Sequence, residues 1–328
     1  MKRVLVIKLG ALGDVIIATA HIERILNEHE QDEVWLLTGV PYGGLFAAHP
    51  RIKLAEFPRK GVGAMLQTLA WVIGKKFDVV YDLQGSERSA VISWMSRAAK
   101  RAGMGLRFPY THSIDISSHQ DEHIFDRLNR LLVCAGLPEA EPRPVLMVSD
   151  SEKTKVESWM ESNALRDKAF VLMHAGSSRR WPSKRWPPVY YATLAARLCE
   201  RGLETVWVGA QEDAELNATL AAQGGIDATE VFSIAELSVL ADHAKFAVVN
   251  DSGPMHVISA AGIPVYAFFG PTNWKKSHAV GQAGRILLNP VSCSPCHLGQ
   301  CPESRGHRCL DELEPQTVWQ RLSADALV

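Results

Sequence analysis

Apolar positions along the chain follow two alternating rhythms: short unbroken runs, and longer segments spaced at helical intervals. Residues 2–7 form a β-branched apolar run, LGALGD reads as a turn, and a helix is predicted over 15–26. The apolar residues of that helix, Val15, Ile16, Ala20, Ile22 and Leu26, fall at roughly helical spacing. Further strands are predicted at 33–37 (EVWLL), 53–57 and 78–83 (DVVYDL), with helical patterns at 65–73 and 89–100. Strands alternating with helices predict βαβ units and a parallel sheet.

The pattern thins in EAEPRPVLMVSD, near 142–150, where proline and charge mark an inter-domain region. A polar helix is predicted over 151–162. The opening scheme then repeats: strand 169–174 (AFVLMH), loop AGSSRRWPSKRW, helix 188–200, and strands 204–208, 246–250 and 264–269. The α/β class follows, with two doubly wound domains over 1–150 and 151–328, in line with a prior of roughly 150 residues per domain. Such sheets bind ligands outside the carboxyl ends of their strands, so an interdomain cleft is the expected site. Residues 316–328 read as a last helix with an open docking face, a return onto the first domain being one option.

Composition narrows the classes. The amino-terminal apolar stretch is broken by Lys8 and Asp14, leaving five uncharged residues between them. A secretion signal needs about 7–15 unbroken apolar residues, and no stretch approaches the roughly 20 needed to span a bilayer. The expectation is a cytoplasmic protein. Lys and Arg number 35 against 36 Asp and Glu, so no overall basic field suits nucleic acid.

Four loops carry candidate chemistry. In LGALGDV, Gly10 and Gly13 would let the backbone turn sharply and approach a ligand. The string is not a GxGxxG fingerprint. Asp14 reads either as a helix N-cap or as a general base kept ionised by the helix start. In HAGSSRRWPSKRWPP, Arg179, Arg180, Lys184 and Arg185 stand between a strand end and a helix start, an anion-site pattern; the competing view is a solvated loop. In VVNDSGPMHV, Ser252 and the turn around Gly253 would grip phosphate oxygens, with His256 close by as ligand or core histidine, and GPTN around Thr272 opening on the same edge. In VGAQEDAEL, Asp213 and Glu215 are either ribose-binding acids or an ordinary acidic first turn.

In sequence order, KLGALGD, DLQG (82–85), KRWP (184–187), DSGPMH (251–256) and FFGPT (268–272) resemble the heptosyltransferase family of inverting glycosyltransferases. The resemblance spans nearly the whole chain. It implies the GT-B fold: two Rossmann-like domains, the first binding the lipopolysaccharide core acceptor and the second the nucleotide sugar, with ADP-heptose as the expected donor. No cofactor or catalytic metal is implied, and membrane contact would be peripheral, at the inner face of the inner membrane. Asp14 then resembles the catalytic base and Lys184 the cation beside the donor phosphates. Ser177, Asp213, Asp251, Ser252, Gly253, His256 and Thr272 match donor-binding positions. Arg88, Arg107, His123 and Arg127 are candidates for acidic groups of the acceptor. The basic–Trp–Pro pattern occurs twice, as RRWP and KRWP, and the second fits the family register better.

Cys293, Cys296, Cys301 and Cys309 lie within seventeen residues, with His297 and His307 nearby. A structural zinc site, disulfides and reduced thiols are the alternatives. Rival functions on this architecture are a nucleotide-sugar epimerase, a family member using another nucleotide sugar, and a nucleotide-sugar-binding regulator without turnover.

Overall fold

The computed structural model describes residues 1–328 except 59, 60, 106 and 120. The chain divides into two compact units, Met1–Met147 and Val148–Val328. In the first unit β1 (Arg3–Lys8) leads into α1 (Leu12–Glu28), β2 (Glu33–Gly39) and β3 (Ile52–Phe57). There follow α2 (Val62–Lys75), β4 (Val79–Asp82), α3 (Glu87–Met95), β5 (Lys100–Met104), β6 (His112–Ile114) and α4 (Ile124–Cys134). All strands pair in parallel, in the order β3-β2-β1-β4-β5-β6. Val4, Leu5, Val6 and Ile7 are wholly buried, as expected of a central strand covered on both faces.

The second unit opens with α5 (Asp150–Ser162), whose capping box joins Ser149 and Glu152. Next come β7 (Phe170–His174), α6 (Pro188–Glu200), β8 (Glu204–Gly209), α7 (Ala214–Ala221), β9 (Ile226–Thr229) and α8 (Ile234–His243). The chain continues through β10 (Phe246–Asn250), α9 (Gly253–Ser259), β11 (Val265–Phe269), α10 (Trp274–Ser277) and β12 (Ile286–Leu288). It closes with α11 (Arg308–Asp311) and α12 (Pro315–Ala324). The strand order β12-β11-β10-β7-β8-β9 repeats the first topology, again all parallel. Each sheet therefore reverses direction between its first and fourth strands, the switch point where doubly wound sheets hold ligands.

Three expectations change. The predicted helix 89–100 stops at Met95, and Lys100–Met104 is a strand, because Arg97 takes a left-handed φ of 55° that ends the helix. Helix α1 begins three residues earlier than predicted, so Gly13 lies inside it and Gly10, at φ 129°, makes the turn without it. The last helix, whose docking face was open, has a face in its own unit: Val318 and Leu322 are fully buried in the second unit's core beside Trp186, Leu310 and Leu313. Among the described residues no helix is long and apolar enough to cross a membrane.

Trp186 centres that core. It stacks on Phe268 with ring centroids 4.3 Å apart, and its indole N–H donates to the Leu313 carbonyl at 2.7 Å. Trp186→Ala should cost about 3–5 kcal/mol through the cavity it leaves; a urea unfolding curve reads this directly, and a loss below about 1 kcal/mol contradicts the packing account.

In the first unit His21 is buried between α1 and α4. It stands 4.6 Å from the Phe125 ring, with Nε2 3.1 Å from the Phe125 carbonyl. Burial lowers its pKa from 6.5 to about 4, so the folded chain holds it neutral while the unfolded chain protonates it near 6.5. The stabilisation is whole above that value and is lost as pH falls toward 4, on the order of 3 kcal/mol in all. Stability measured between pH 7 and 4 should decline, and His21→Gln, which can still donate to Phe125, should flatten the decline; an unchanged slope contradicts the assignment.

Candidate functional site

In the first unit the switch point lies between β1 and β4. Asp82, the last residue of β4, is fully buried and accepts hydrogen bonds from the Gln84 and Gly85 amides (2.9 and 3.1 Å) and the Tyr110 hydroxyl (2.6 Å). Burial raises the Asp82 pKa against the pull of these donors. Gln84 in turn accepts from the Leu9 amide at 2.8 Å, which ties the DLQG turn to the one after β1. Lys8 is also buried, donating to the Leu83 carbonyl at 3.2 Å. Desolvation lowers its pKa, opposed by the charges of Asp14 and Asp82.

Asp14 stands at this crevice in the first turn of α1. It is not the N-cap: Ala11 occupies that position, with no side-chain cap bond. The half-buried Asp14 carboxylate has no hydrogen-bond or ion-pair partner among the described residues. A carboxylate in the first turn of a helix, with the Lys8 charge acting from nearby and its oxygens uncommitted, is equipped to accept a proton.

The four acceptor candidates also follow strand ends in this unit, but they differ in freedom. Arg107 is exposed. Arg88 donates to the Pro58 carbonyl at 3.1 Å. His123 is buried as the N-cap of α4, its Nδ1 accepting from the Phe125 amide at 3.1 Å, which is a structural task. Arg127 lies 3.5 Å from Glu122.

The second unit's switch point lies between β7 and β10, and Asn250, ending β10, organises it. Its amide nitrogen donates to the Ala175 and Gly176 carbonyls (2.8 and 3.1 Å). Its oxygen takes the Trp186 amide and meets the Tyr191 hydroxyl (3.1 Å each). The loop after β7, the start of α6 and the turn after β10 are thereby fixed by one buried side chain.

On this frame Lys184 pairs with Asp251 at 2.7 Å and lies 5.0 Å above the Trp181 ring. Thr272 donates to the same Asp251 oxygen at 2.5 Å. The structure thus brings Lys184, Asp251, Ser252, Gly253 and Thr272 together. Arg179 and Arg180 of the first basic–Trp–Pro repeat are exposed, whereas Arg185 turns inward to hold Ser177 through its hydroxyl (3.0 Å) and carbonyl (2.9 Å).

Four donor candidates are buried, Ser177 and Asp251 above together with His256 and Asp213. His256 is 5% exposed on the inner side of α9. Asp213 is 3% exposed, and its Oδ2 lies 3.5 Å from His174 Nε2 and accepts from the Ala210 amide at 3.2 Å. Burial works to raise its pKa, but the His174 hydrogen bond and charge, Ala210 and Arg185 hold it below the usual value. Gly176 and Gly209 make room for it: a Cβ on Gly176 would come within 1.9 Å of Asp213 Oδ1. Glu215 is exposed at the start of α7.

The cysteine-rich segment braces this site, a role that spacing alone did not reveal. Ser183, next to Lys184, receives a hydrogen bond from His307 (2.7 Å) and donates its hydroxyl to the Leu298 carbonyl (2.6 Å). Ser294 donates to Gly270 (2.5 Å) and the His297 amide to Pro271 (2.7 Å), holding the Thr272 turn. The four thiols line one small void and none is in a disulfide. Burial, then Cys301, Cys293 and Cys296, push Cys309 up to about 11. Among the described residues no group of three His, Cys, Asp or Glu is gathered closely enough to hold a metal.

Known proteins resemble this chain in sequence and fold. A family model described as glycosyltransferase family 9 (heptosyltransferase) matches residues 67–307. Lipopolysaccharide heptosyltransferase 2 of Escherichia coli K12 is 26% identical over 267 residues, 76% of each chain. The solved glycosyl transferase family 9 protein from Veillonella parvula aligns with a TM-score of 0.83 at 23% identity, over 98% of this chain and 96% of its own. The E. coli ADP-heptose LPS heptosyltransferase II structure aligns at 0.76 and 22%, over 99% and 98%. These likenesses identify the two sheets as the Rossmann-like units of the GT-B fold. With the family model matched over residues 67–307 and so across both units, the chain belongs to glycosyltransferase family 9, the heptosyltransferases.

Proposed function

We propose that this glycosyltransferase moves a heptose from ADP-heptose to the inner core of lipopolysaccharide, inverting the anomeric centre by direct displacement, with Asp14 as general base and no metal ion. Family membership supports the reaction class, and the donor is the one named for the E. coli relative. The first unit would take the acceptor and the second the nucleotide sugar, at the cytoplasmic face of the inner membrane with at most peripheral contact. The observation that carries the mechanism is an uncommitted carboxylate at one switch point and a fixed ammonium at the other.

The acceptor oxygen attacks the anomeric carbon as Asp14 removes its proton. The bond from that carbon to the diphosphate oxygen breaks on the opposite face, and negative charge grows on the departing ADP. Lys184 is the counter-charge. Asp251, itself held by Thr272, occupies one side of its ammonium, which leaves its remaining N–H groups to meet phosphate oxygens. In this reading Asp251 holds Lys184 rather than touching phosphate, since two anions would repel. Ser177, held by Arg185, the Ser252 hydroxyl and the Gly253 turn complete the phosphate side. Asp213 and His256 act from within the wall. Closure of the site would exclude water and limit donor hydrolysis.

Asp14→Asn should lower kcat by about 10²–10⁴ while the midpoint for ADP binding stays within about twofold; equal losses in both would make Asp14 a structural residue. Lys184→Ala should lower kcat/KM for the donor by about 10²–10³, and wild-type transfer should persist in excess chelator. The donor itself is tested by thermal shift with ADP-, GDP-, UDP- and CMP-sugars, where ADP-heptose should raise the melting point most. A larger shift with another nucleotide sugar overturns the donor assignment.

A further inference from the structure

Helices α2 and α3 are neighbours over one core of the first unit. Val72 of α2 and Ile92 of α3 are buried there with Leu5, Ile7 and Val80, and Met65 and Leu69 pack against the same cluster. A surface helix ordinarily turns charged and polar residues outward. These two do not. On α2, Val62 is 79% exposed and Leu66 62%, with Ile73 exposed as well. On α3, Val91 and Trp94 are exposed, and Trp94 meets the 71% exposed Phe108 with ring centroids 6.0 Å apart. No charged residue occurs between Val62 and Gly74, whereas α5, of similar length, exposes Lys153, Lys155, Glu157 and Glu161. Single exposed apolar residues are ordinary; six on two adjacent helices and the loop beside them mark an interaction site.

Charge says what covers it. The sequence from Pro58 to Phe108 carries nine Lys and Arg against three Asp and Glu, while the rest of the chain has 26 against 33. The positive excess of the molecule is therefore concentrated on the segment that carries the apolar patch. Lys76 just beyond α2, Arg97 just beyond α3 and Arg107 beside Phe108 are all exposed. Of the three acids, Asp82 is buried and Asp78 accepts from the Arg3 amide at 2.8 Å, which leaves Glu87 as the one acid on these two helices. A second copy is a poor occupant, because a two-fold interface would set this basic rim against itself. A surface of anionic lipid headgroups over acyl chains matches both the charge and the apolar side chains.

We infer that the outer sides of α2 and α3, with Phe108, dock the first unit on an anionic bilayer surface. The inference rests on the reading above that places transfer at the inner membrane, and deepens it by naming the face that makes the contact. Helix α2 has 14 residues, about 21 Å at 1.5 Å per residue, short of the roughly 30 Å of a hydrocarbon core. It lies on the membrane and does not cross it. Val62, Leu66 and Ile73 enter the boundary between headgroups and acyl chains, Trp94 takes the interfacial position that indoles favour, and the basic side chains meet lipid phosphates. An enzyme held this way meets a lipid-linked acceptor by diffusion in two dimensions.

Co-sedimentation of the intact chain with vesicles, of phosphatidylcholine alone or of equal parts phosphatidylcholine and phosphatidylglycerol, tests the face. Wild type should pellet with the anionic vesicles and far less with the neutral ones, at about fivefold in affinity for each basic side chain near the surface. Raising the salt from about 0.1 M to about 1 M, which shortens the screening length from about 10 Å to about 3 Å, should release it. Leu66→Gln combined with Trp94→Gln should weaken anionic-vesicle binding by at least about tenfold with the melting temperature unchanged, since both side chains are exposed. Val133→Gln, at an exposed apolar position of α4, should bind as wild type does. If melting shows the double variant unfolded, Leu66→Gln alone carries the comparison. Transfer to a soluble core oligosaccharide should be equal in wild type and the double variant. Wild type left in the supernatant, or a double variant that pellets equally, overturns the inference. So does a wild-type dimer that the double variant abolishes, with no vesicle binding, since the patch is then a subunit interface. Vesicle binding lost in the double variant, by an enzyme that transfers no heptose, leaves the docking face standing and overturns the function proposed above.

Discussion

A parallel sheet ends its central strands with backbone groups that have no next strand to bond, and something buried must take them up. Both units meet this constraint with the last residue of the fourth strand. In the second, Asn250 uses its amide on two carbonyls, a backbone N–H and a phenol. In the first, Asp82 collects two amides and a phenol, and Gln84 extends the tie to Leu9. The turns that carry Asp14 and Lys184 are tied to the sheets by Gln84, which Asp82 holds, and by Asn250. An amide suits the second unit, where donors and acceptors both need partners, and a carboxylate suits the first, where the groups presented are donors.

Charge is then arranged differently at the two crevices. In the second unit the ammonium of Lys184 is clamped by Asp251, and Asp251 by Thr272, so the cation sits in a fixed place before any ligand arrives. Preorganised charge of this kind stabilises a leaving group without reorganisation at the moment of reaction. In the first unit the buried Lys8 lies behind a carboxylate left without partners. The cysteine-rich segment belongs to the same scheme, since its backbone and hydroxyl bonds reach Ser183, Gly270 and Pro271 beside the active turns.

Much of this was legible in the sequence because central strands are apolar on both faces and helices carry periodic stripes; helix α6 has the predicted bounds. Strands without an apolar run were not legible: β5 reads KRAGM, with two charges and no β-branched residue, and is held as a strand between β4 and β6. The candidate site was read through its loops, which named Lys184, Asp251, Ser252 and Thr272, and the fold joins Lys184 and Thr272 at Asp251. It missed Asn250 as the organiser and His174 as the partner of Ser252, because each ends an apolar run as a single polar letter. Asp213 read as either a ribose-binding acid or an ordinary first-turn acid; its burial follows from the glycines at 176 and 209, which make room for it. His123, a candidate for acidic groups of the acceptor, is also a helix cap, a role set by the backbone it closes.

The central claim is that Asp14 takes the proton of the attacking hydroxyl. A crystal structure of the chain with an unreactive ADP-heptose analogue and a core oligosaccharide acceptor tests it most directly. The account predicts an acceptor hydroxyl within about 2.6–3.2 Å of the Asp14 carboxylate, in line with the anomeric carbon and opposite a diphosphate held by Lys184. An acceptor bound with its reacting oxygen against another group, and Asp14 turned away from it, would contradict the account.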